Sequence, residues 1–584
     1  MKQELGHIGA AVTGCRIAEP YANAEEIIRV IKDNTECRLL VFPDLCITGS
    51  TCGDLFGQEF LQRASFNALE RIRNTCNGTV IAGLPAGRDG ILYDCAAVLQ
   101  SGKLLGLVPL RILQGIRAHI CADERIPFGT DLVFRAEGHV FCILTEDALA
   151  EETVLPEGAD TVVCLDPRPD EPGRKAQAVQ SVSLFSRNHQ CTVIYVTCSP
   201  EESTTDAVYP GRLMIADCGL LYGEAEYTRL PFCLRPDKNG KGSADTVAEM
   251  IADPADPYPF LADDPEMRRS QSQEVLNRQA RGLYMRLKKT GIRTMVLGVS
   301  GGLDSTLALL VCDKVRTLDP SLRIVGVTMP SHGNTSDRTK ENALKFMEVL
   351  QVESREIPIH DELMVHLRSI GHAEHYQGSG DVVYENAQAR IRTLILMDIA
   401  NMENGLVVGT GDLSELALGW CTYSGDQMSM YGVNGSVPKT QVRAVCRDIA
   451  DTCGNEALKE VLYAIIDTPI SPELTPNVKG KIAQKTEDAV GNYAVNDYCL
   501  YWMIGQGKDP KAVLEQACRA FPDYTEEELR EHLKRFIRRF FTQQFKRSCA
   551  PDGVKAGILS LSPRTDWQMP SEADPAAFLR ELDQ

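Results

Sequence analysis

The sequence lacks the marks of several common protein classes. No two of its twenty cysteines stand as C-x-x-C, and the closest pair is Cys46 and Cys52. A zinc site or a disulfide scaffold is therefore not indicated. Cys142, Cys191 and Cys312 sit in apolar runs, where a reduced thiol behaves as a small core residue. No apolar run is long enough to span a bilayer, and the opening MKQELGHIGAAVTG has no signal-peptide core. Low-complexity tracts and internal repeats are missing as well. So is any basic excess: the net charge is -19 and the pI about 5.1. That balance argues against a broad nucleic-acid-binding face, although it permits a local phosphate site built from backbone N–H groups. These absences leave a cytoplasmic protein with reduced thiols, and with neither nucleic acid nor membrane as partner.

What is present is an ordinary globular composition, 43% hydrophobic and 24% charged over 584 residues, too long for one core. Through residue 235 short apolar runs alternate with helical stretches. The strand-like runs fall at 39–42, 79–82, 140–144, 161–165 and 192–196, and the helical ones at 23–32 and 176–188. That pattern is α/β with mixed sheets. Between 236 and 272 Pro, Gly, Asp and Ser crowd together and apolar periodicity fades, as in a linker. A second α/β unit spans 273–584. It opens with a helix (EVLNRQARGLYMRLKKTG) and continues into the strand 294–299.

The sharpest local signal is LGVSGGLDS at 297–305. It follows an apolar strand and precedes an apolar helix. Glycines let the backbone close on a phosphate, and a helix tip offers unpaired N–H groups and a favourable dipole. Ser300 and Ser305 add hydroxyls, and Asp304 is suited to a magnesium ion bridging phosphate oxygens. The lysine of a Walker A loop is missing. The string resembles the SGGxDS loop of the ATP pyrophosphatases, which cleave ATP to AMP and pyrophosphate. That resemblance implies ATP contacts from Gly298, Val299, Ser300, Gly301, Gly302, Leu303, Asp304 and Ser305. Such a loop suits adenylation of a carboxylate, which is a poor electrophile until AMP becomes its leaving group.

The substrate is indicated by 385–440, ENAQARIRTLILMDIANMENGLVVGTGDLSELALGWCTYSGDQMSMYGVNGSVPKT, with MPSHGNTSDRT (329–339), DTPISPEL (467–474), QKTEDAVGNY (484–493) and QFKRSCAPDG (544–553). These strings resemble the NAD synthetases over essentially all of 273–584. On the residues themselves, Asn386 and Arg390 share an amphipathic helix, Thr410 lies in a strand-end GTGD loop, and Glu415 is placed to complete a magnesium site with Asp304. Lys439 and Lys546 can each neutralise a phosphate. The resemblance implies that Thr410 and Lys439 bind ATP. It implies that Asn386, Glu415, Trp420, Cys421, Thr422, Tyr423 and Lys546 bind deamido-NAD, and Arg390 is expected beside them from its place on the helix. The implied reaction is ATP-dependent amidation of deamido-NAD to NAD through an adenylate, with Mg2+ as cofactor and a homo-oligomer, often an octamer, as the assembly.

Residues 1–235 resemble the nitrilase-type glutaminase domain of long-form NAD synthetases, through VFPDLCITGSTCGDLF (41–56), GLVPL (106–110), TEDALA (145–150) and ESTTDAVYPG (202–211). The implied architecture is an α-β-β-α sandwich ahead of an adenine-nucleotide alpha hydrolase-like, parallel-sheet domain. The family's Glu, Lys and Cys become Asp44, Leu110 and Thr145. Asp44 is a shorter carboxylate, Leu110 has no charge, and a Thr hydroxyl ionises far less readily than a thiol of pKa about 8.5. Strand parity puts Cys142 on the face opposite Thr145 and turns Arg111 away from the Leu110 side, unless a bulge intervenes. The expectation is a glutaminase fold without glutaminase chemistry, with nitrogen from ammonia. The alternative is a glutamine-hydrolysing enzyme with an unorthodox site. A dinucleotide-binding regulator without turnover, and a tRNA-modifying enzyme, fit less well: the first leaves the loop with Asp304 and Glu415 unexplained, the second conflicts with the acidic balance and 385–440.

Overall fold

The computed structural model describes residues 7–136, 138–149, 153–226, 230–236, 241–242, 253–331, 337–372, 381–468 and 490–583. The chain divides into two compact units, Met1–Glu249 and Met250–Gln584. No described helix is long and apolar enough to cross a membrane.

The first unit is built on two sheets. One has six strands, in the order Phe232–Leu234, Ile8–Val12, Leu39–Val41, Thr79–Arg88, Ile91–Gln100 and Lys103–Arg117. The other has seven, in the order Lys241–Gly242, Leu220–Ala225, Leu213–Asp217, Thr192–Thr197, Thr161–Asp166, His139–Thr145 and Phe134–Ala136. Period-two alternation sorts their side chains into layers. Ile8, Ala10, Val12, Ile143, Val163 and Ile194 meet in a core between the sheets. The opposite face of the first sheet, with Ala11 and Leu40, takes Ile27 of helix Pro20–Asp33 and Leu69 of helix Glu59–Thr75. The opposite face of the second, with Cys142, Val162 and Val193, takes Val182 and Phe185 of helix Arg174–His189. Three cores between four layers make the α-β-β-α sandwich that the sequence strings imply.

The second unit carries one parallel sheet of five strands, in the order Glu353–Glu356, Arg323–Thr328, Thr294–Gly298, Gly405–Gly409 and Tyr431–Gly432. Its central strand reads TMVLG and is buried along nearly its whole length, as a parallel strand covered on both faces must be. Strand order reverses at this strand: its neighbours are the next strand in the chain on one side and a much later one on the other. A crevice forms at the carboxyl ends of strands at such a reversal. The C-terminal helices, including Tyr493–Cys499 and Glu526–Thr542, pack Tyr498, Leu533, Phe536 and Phe540 into a separate core with Leu413 and Leu418.

The opening helix of this unit differs from the sequence expectation. It runs Pro265–Thr290, beginning inside the stretch read as linker. Asp264 caps the N–H groups of Glu266 and Met267, and Pro265 takes the first helical turn. An Asp-Pro pair is a helix start signal as well as a turn signal.

Candidate active site

Loop 298–302 joins the central strand to helix Leu303–Leu318. Gly301 has φ +88, and a Cβ there would lie 2.2 Å from the Thr339 carbonyl oxygen, so a side chain is excluded both by backbone conformation and by space. Ser300 and Ser305 brace the loop: their hydroxyls lie 3.2 Å apart, Gly302 N–H donates to Ser300 Oγ at 3.1 Å, and Ser305 Oγ donates to the Gly302 carbonyl at 3.1 Å. The first N–H groups of the helix have no partner within it, and Gly302 to Ser305 line the crevice, a combination suited to an anion.

The crevice is a cavity of about 520 Å3. All eight loop positions from Gly298 to Ser305 line it, as do Thr410, Lys439, Asn386, Glu415, Trp420, Cys421, Thr422 and Lys546. Two of the expected residues do not. Arg390 is exposed and donates to the Tyr423 carbonyl at 3.3 Å, and Tyr423 is itself 42% exposed. The reason is helical rotation: Asn386, Ala389, Thr393 and Leu396 of helix Val382–Met402 face the cavity at helical spacing. Arg390, one residue on from Ala389, is turned about 100° away.

Around the cavity the polar groups are fixed. Asn434 Nδ2 donates to the carbonyls of Asp304 and Thr410, both at 3.0 Å, tying two strand-end loops together. Thr422 donates its hydroxyl to Asn386 Oδ1 at 2.8 Å and its N–H to Asp426 at 2.7 Å. Lys546 Nζ donates to the carbonyls of Gly419 and Cys421 at 2.8 and 2.7 Å, and burial lowers its pKa. Arg539 lies 5.3 Å over the Trp420 ring. Burial pushes the Cys421 thiol up to about 12, so it is no nucleophile.

The charged centre is a cluster of three carboxylates around one ammonium. Lys439 Nζ lies 2.7 Å from Asp304, 2.8 Å from Asp412 and 3.1 Å from Glu415. Burial works against the lysine's charge, but the three carboxylates outweigh it and hold its pKa well above the usual range. Burial, opposed by Lys439 and reinforced by the Asp304 charge, lifts Glu415 to about 7. Asp304, Asp412 and Glu415 each offer an oxygen within 4.8 Å of the others, a donor set that fits a hard divalent cation. Asp412, Asn434, Asp426 and Arg539 were not singled out from the sequence. The one legible sign was Asp412 itself, the final residue of GTGD, at a helix N-cap. The strings at 329–339, 467–474 and 484–493 extend into 332–336 and 469–489, which lie outside the described residues.

In the first unit the three altered triad positions have different surroundings. Leu110 packs into the core between the sheets. Asp44 is fully buried. Thr145 ends the strand His139–Thr145, and its neighbour Glu146 is ion-paired to Arg168. Cys142 lies on the opposite face under helix Arg174–His189, as parity required, and burial pushes its thiol up to about 11. Arg111 does not turn away, however. Pairing steps from Asp94 opposite Arg111 to Cys95 opposite Pro109, so the strand bulges at Leu110. A bulge re-aims the residue beside it. Arg111 ion-pairs with Asp44 and lies 3.0 Å from Asp94. Cys198, also missed from the sequence, places its Sγ 3.9 Å from the Asp44 carbonyl oxygen. It is wholly buried, and burial lifts its thiol far above the ordinary range.

Comparison with known proteins matches residues 275–548 to the NAD synthase family. A glutamine-dependent NAD(+) synthetase of Mycobacterium leprae is 30% identical over 100% of this chain and 98% of its own length. One of Thermotoga maritima is 26% identical over 94% of each. Among solved structures, a glutamine-dependent NAD(+) synthetase from Cytophaga hutchinsonii shares the fold at a TM-score of 0.79 and 20% identity, covering 99% of both chains. An Acinetobacter baumannii glutamine-dependent NAD+ synthetase in complex with ADP does so at 0.64 and 19%, covering 97% of both.

Proposed function

Because the chain belongs to the long-form NAD synthetases, a family of amide-forming ligases, we propose that it amidates the nicotinate carboxyl of deamido-NAD at the expense of ATP, drawing nitrogen from ammonia. The observation that carries this reading is the convergence of the 298–305 loop, Asp304, Glu415 and Lys439 on one cavity of about 520 Å3. The carboxylate oxygen attacks the α-phosphorus of ATP, and pyrophosphate leaves. Ammonia then adds to the acyl carbon of the adenylate and loses a proton, and AMP departs with the oxygen that made the attack. Loop N–H groups and the helix tip orient the phosphates and balance the charge that develops on the leaving group. Lys439 offers a compact positive charge at the same place. Asp304 and Glu415 would hold magnesium, which supplies neutralisation of phosphate oxygens when bound.

Nitrogen from ammonia is supported by the first unit. Leu110 has no charge to lend, Thr145 has no thiol, and Cys142 faces away. The re-aimed Arg111 restores a cation beside Asp44, which favours the alternative of an unorthodox glutaminase to that extent. Cys198, whose Sγ lies 3.9 Å from the Asp44 carbonyl oxygen, is buried and raised in pKa, which disfavours attack on an amide.

Labelling tests the adenylate. With 18O in the nicotinate carboxylate, one label is expected in AMP for each NAD formed. Label retained wholly outside AMP would exclude this route.

A further inference from the structure

Lys439 is held in a way that binding a phosphate does not require. Its side chain is only 3% exposed, and its ammonium sits among Asp304, Asp412 and Glu415 at 2.7, 2.8 and 3.1 Å. Those are the carboxylates whose mutual spacing, within 4.8 Å, suits a single hard cation. Asp412 is the telling member. It is wholly buried, and one of its oxygens is spent on the Glu415 N–H at 2.8 Å, capping helix Leu413–Leu418. Its other oxygen has no hydrogen-bond donor in good geometry and faces the charge of Lys439. A carboxylate buried in that way is costly unless a cation stands beside it. The tripod therefore demands positive charge at its centre whether or not a nucleotide is present. A lysine meets that demand and can also leave, being a point charge on a flexible stem.

We propose that Lys439 is a built-in stand-in for the divalent cation: in the nucleotide-free protein its ammonium fills the Asp304–Asp412–Glu415 tripod, and it yields that place to a metal ion only when phosphate oxygens arrive to receive it. Asp412 thereby becomes a third carboxylate facing the metal, beside the two read from sequence. The proposal rests on the reading that this cavity takes ATP with magnesium, and it adds an order of events. A metal ion alone must displace the ammonium from three carboxylates and leave it without a partner. A metal ion with nucleotide brings anionic oxygens that take the lysine over. Metal and nucleotide are then coupled through one side chain, each raising the affinity of the other.

The test is Mn2+ titration of the full chain, followed by loss of the free-ion EPR signal, with and without a non-hydrolysable ATP analogue. Without nucleotide, Lys439→Met is expected to bind Mn2+ at least about tenfold more tightly than the unaltered chain, and adding Asp412→Asn should remove most of that gain. With the analogue, the unaltered chain should gain about tenfold or more, and Lys439→Met much less. Equal or weaker nucleotide-free Mn2+ binding by Lys439→Met would overturn the proposal. Should Lys439→Met unfold by itself, thermal unfolding in millimolar Mn2+ decides: refolding driven by the ion supports the stand-in role, and no recovery refutes it. Failure to form NAD at all would sink the assigned reaction but leave the Mn2+ readout intact, so the two failures are distinguishable.

Discussion

Each unit of this chain contains carboxylates gathered round a single basic side chain, and the two gatherings differ in what surrounds them. In the second unit Asp304, Asp412 and Glu415 surround Lys439 on the wall of a cavity of about 520 Å3. In the first, Asp44 and Asp94 share Arg111, and both carboxylates are buried, with 0% and 2% exposure. One centre opens on space for ligands and is based on a lysine that can move. The other is tied by a planar guanidinium bridging two acids, an arrangement that holds its partners in fixed geometry. The comparison teaches that a charged cluster is a reaction site only where its charges can be traded for those of a ligand. In the first unit the charges are matched mainly among Asp44, Asp94 and Arg111, with the Arg111 side chain 38% exposed.

The largest effect that should sharpen this contrast is on activity. Asp304→Asn is expected to lower kcat/KM for NAD formation from ammonium by about a thousandfold, whereas Asp44→Asn should leave it within about twofold under conditions where both variants are folded. Steady-state kinetics on the two proteins checks both halves, and equal losses would erase the distinction.

Next in size is an effect on stability. Arg111→Met leaves two buried carboxylates without their cation, and should destabilise the first unit by about 3–5 kcal/mol, read as a lowered denaturation midpoint. Asp94 is the group most affected, because burial and the Asp44 charge already push its pKa well up. If Arg111→Met keeps its midpoint, the pair is not the structural tie described here.

Gly301→Ala comes third. Its Cβ would meet the Thr339 carbonyl at 2.2 Å in a backbone with φ +88, which should displace the loop and raise the KM for ATP by about tenfold or more. An unchanged KM would show that the loop does not meet the phosphates. Smallest is Cys142→Ala, expected to leave glutamate release from glutamine at its starting level. A clear fall would restore this thiol as a nucleophile despite its place beneath helix Arg174–His189.

Much of this was legible in the residues. The glycine string at 298–305 reads as a candidate phosphate loop because it lies between an apolar strand and an apolar helix, and the structure sets it at the reversal of strand order. Cys142 was placed on the right face by counting alone. The misreadings have physical causes. Arg111 was assigned by the same parity, but a strand's parity fails at a bulge, and Pro109 in GLVPLR, which cannot donate to the ladder, was the sign of one. Asp412 was not singled out, and taken by itself it is only a helix cap. Its second oxygen acquires meaning only through Lys439, which lies far along the chain at the start of helix Lys439–Thr452. Arg390 was read from its helix and Tyr423 from the resemblance; neither lines the cavity, Arg390 because it sits about 100° round the helix from Ala389.

The central claim is that adenylation and amidation belong to the second unit and run on free ammonia, without glutamine chemistry in the first. It is tested most directly by NAD formation measured side by side with ammonium and with glutamine, each with ATP, deamido-NAD and Mg2+. The account predicts NAD and pyrophosphate in equal amounts with ammonium, and with glutamine neither NAD nor released glutamate above background. Glutamine turnover comparable with ammonium would contradict it.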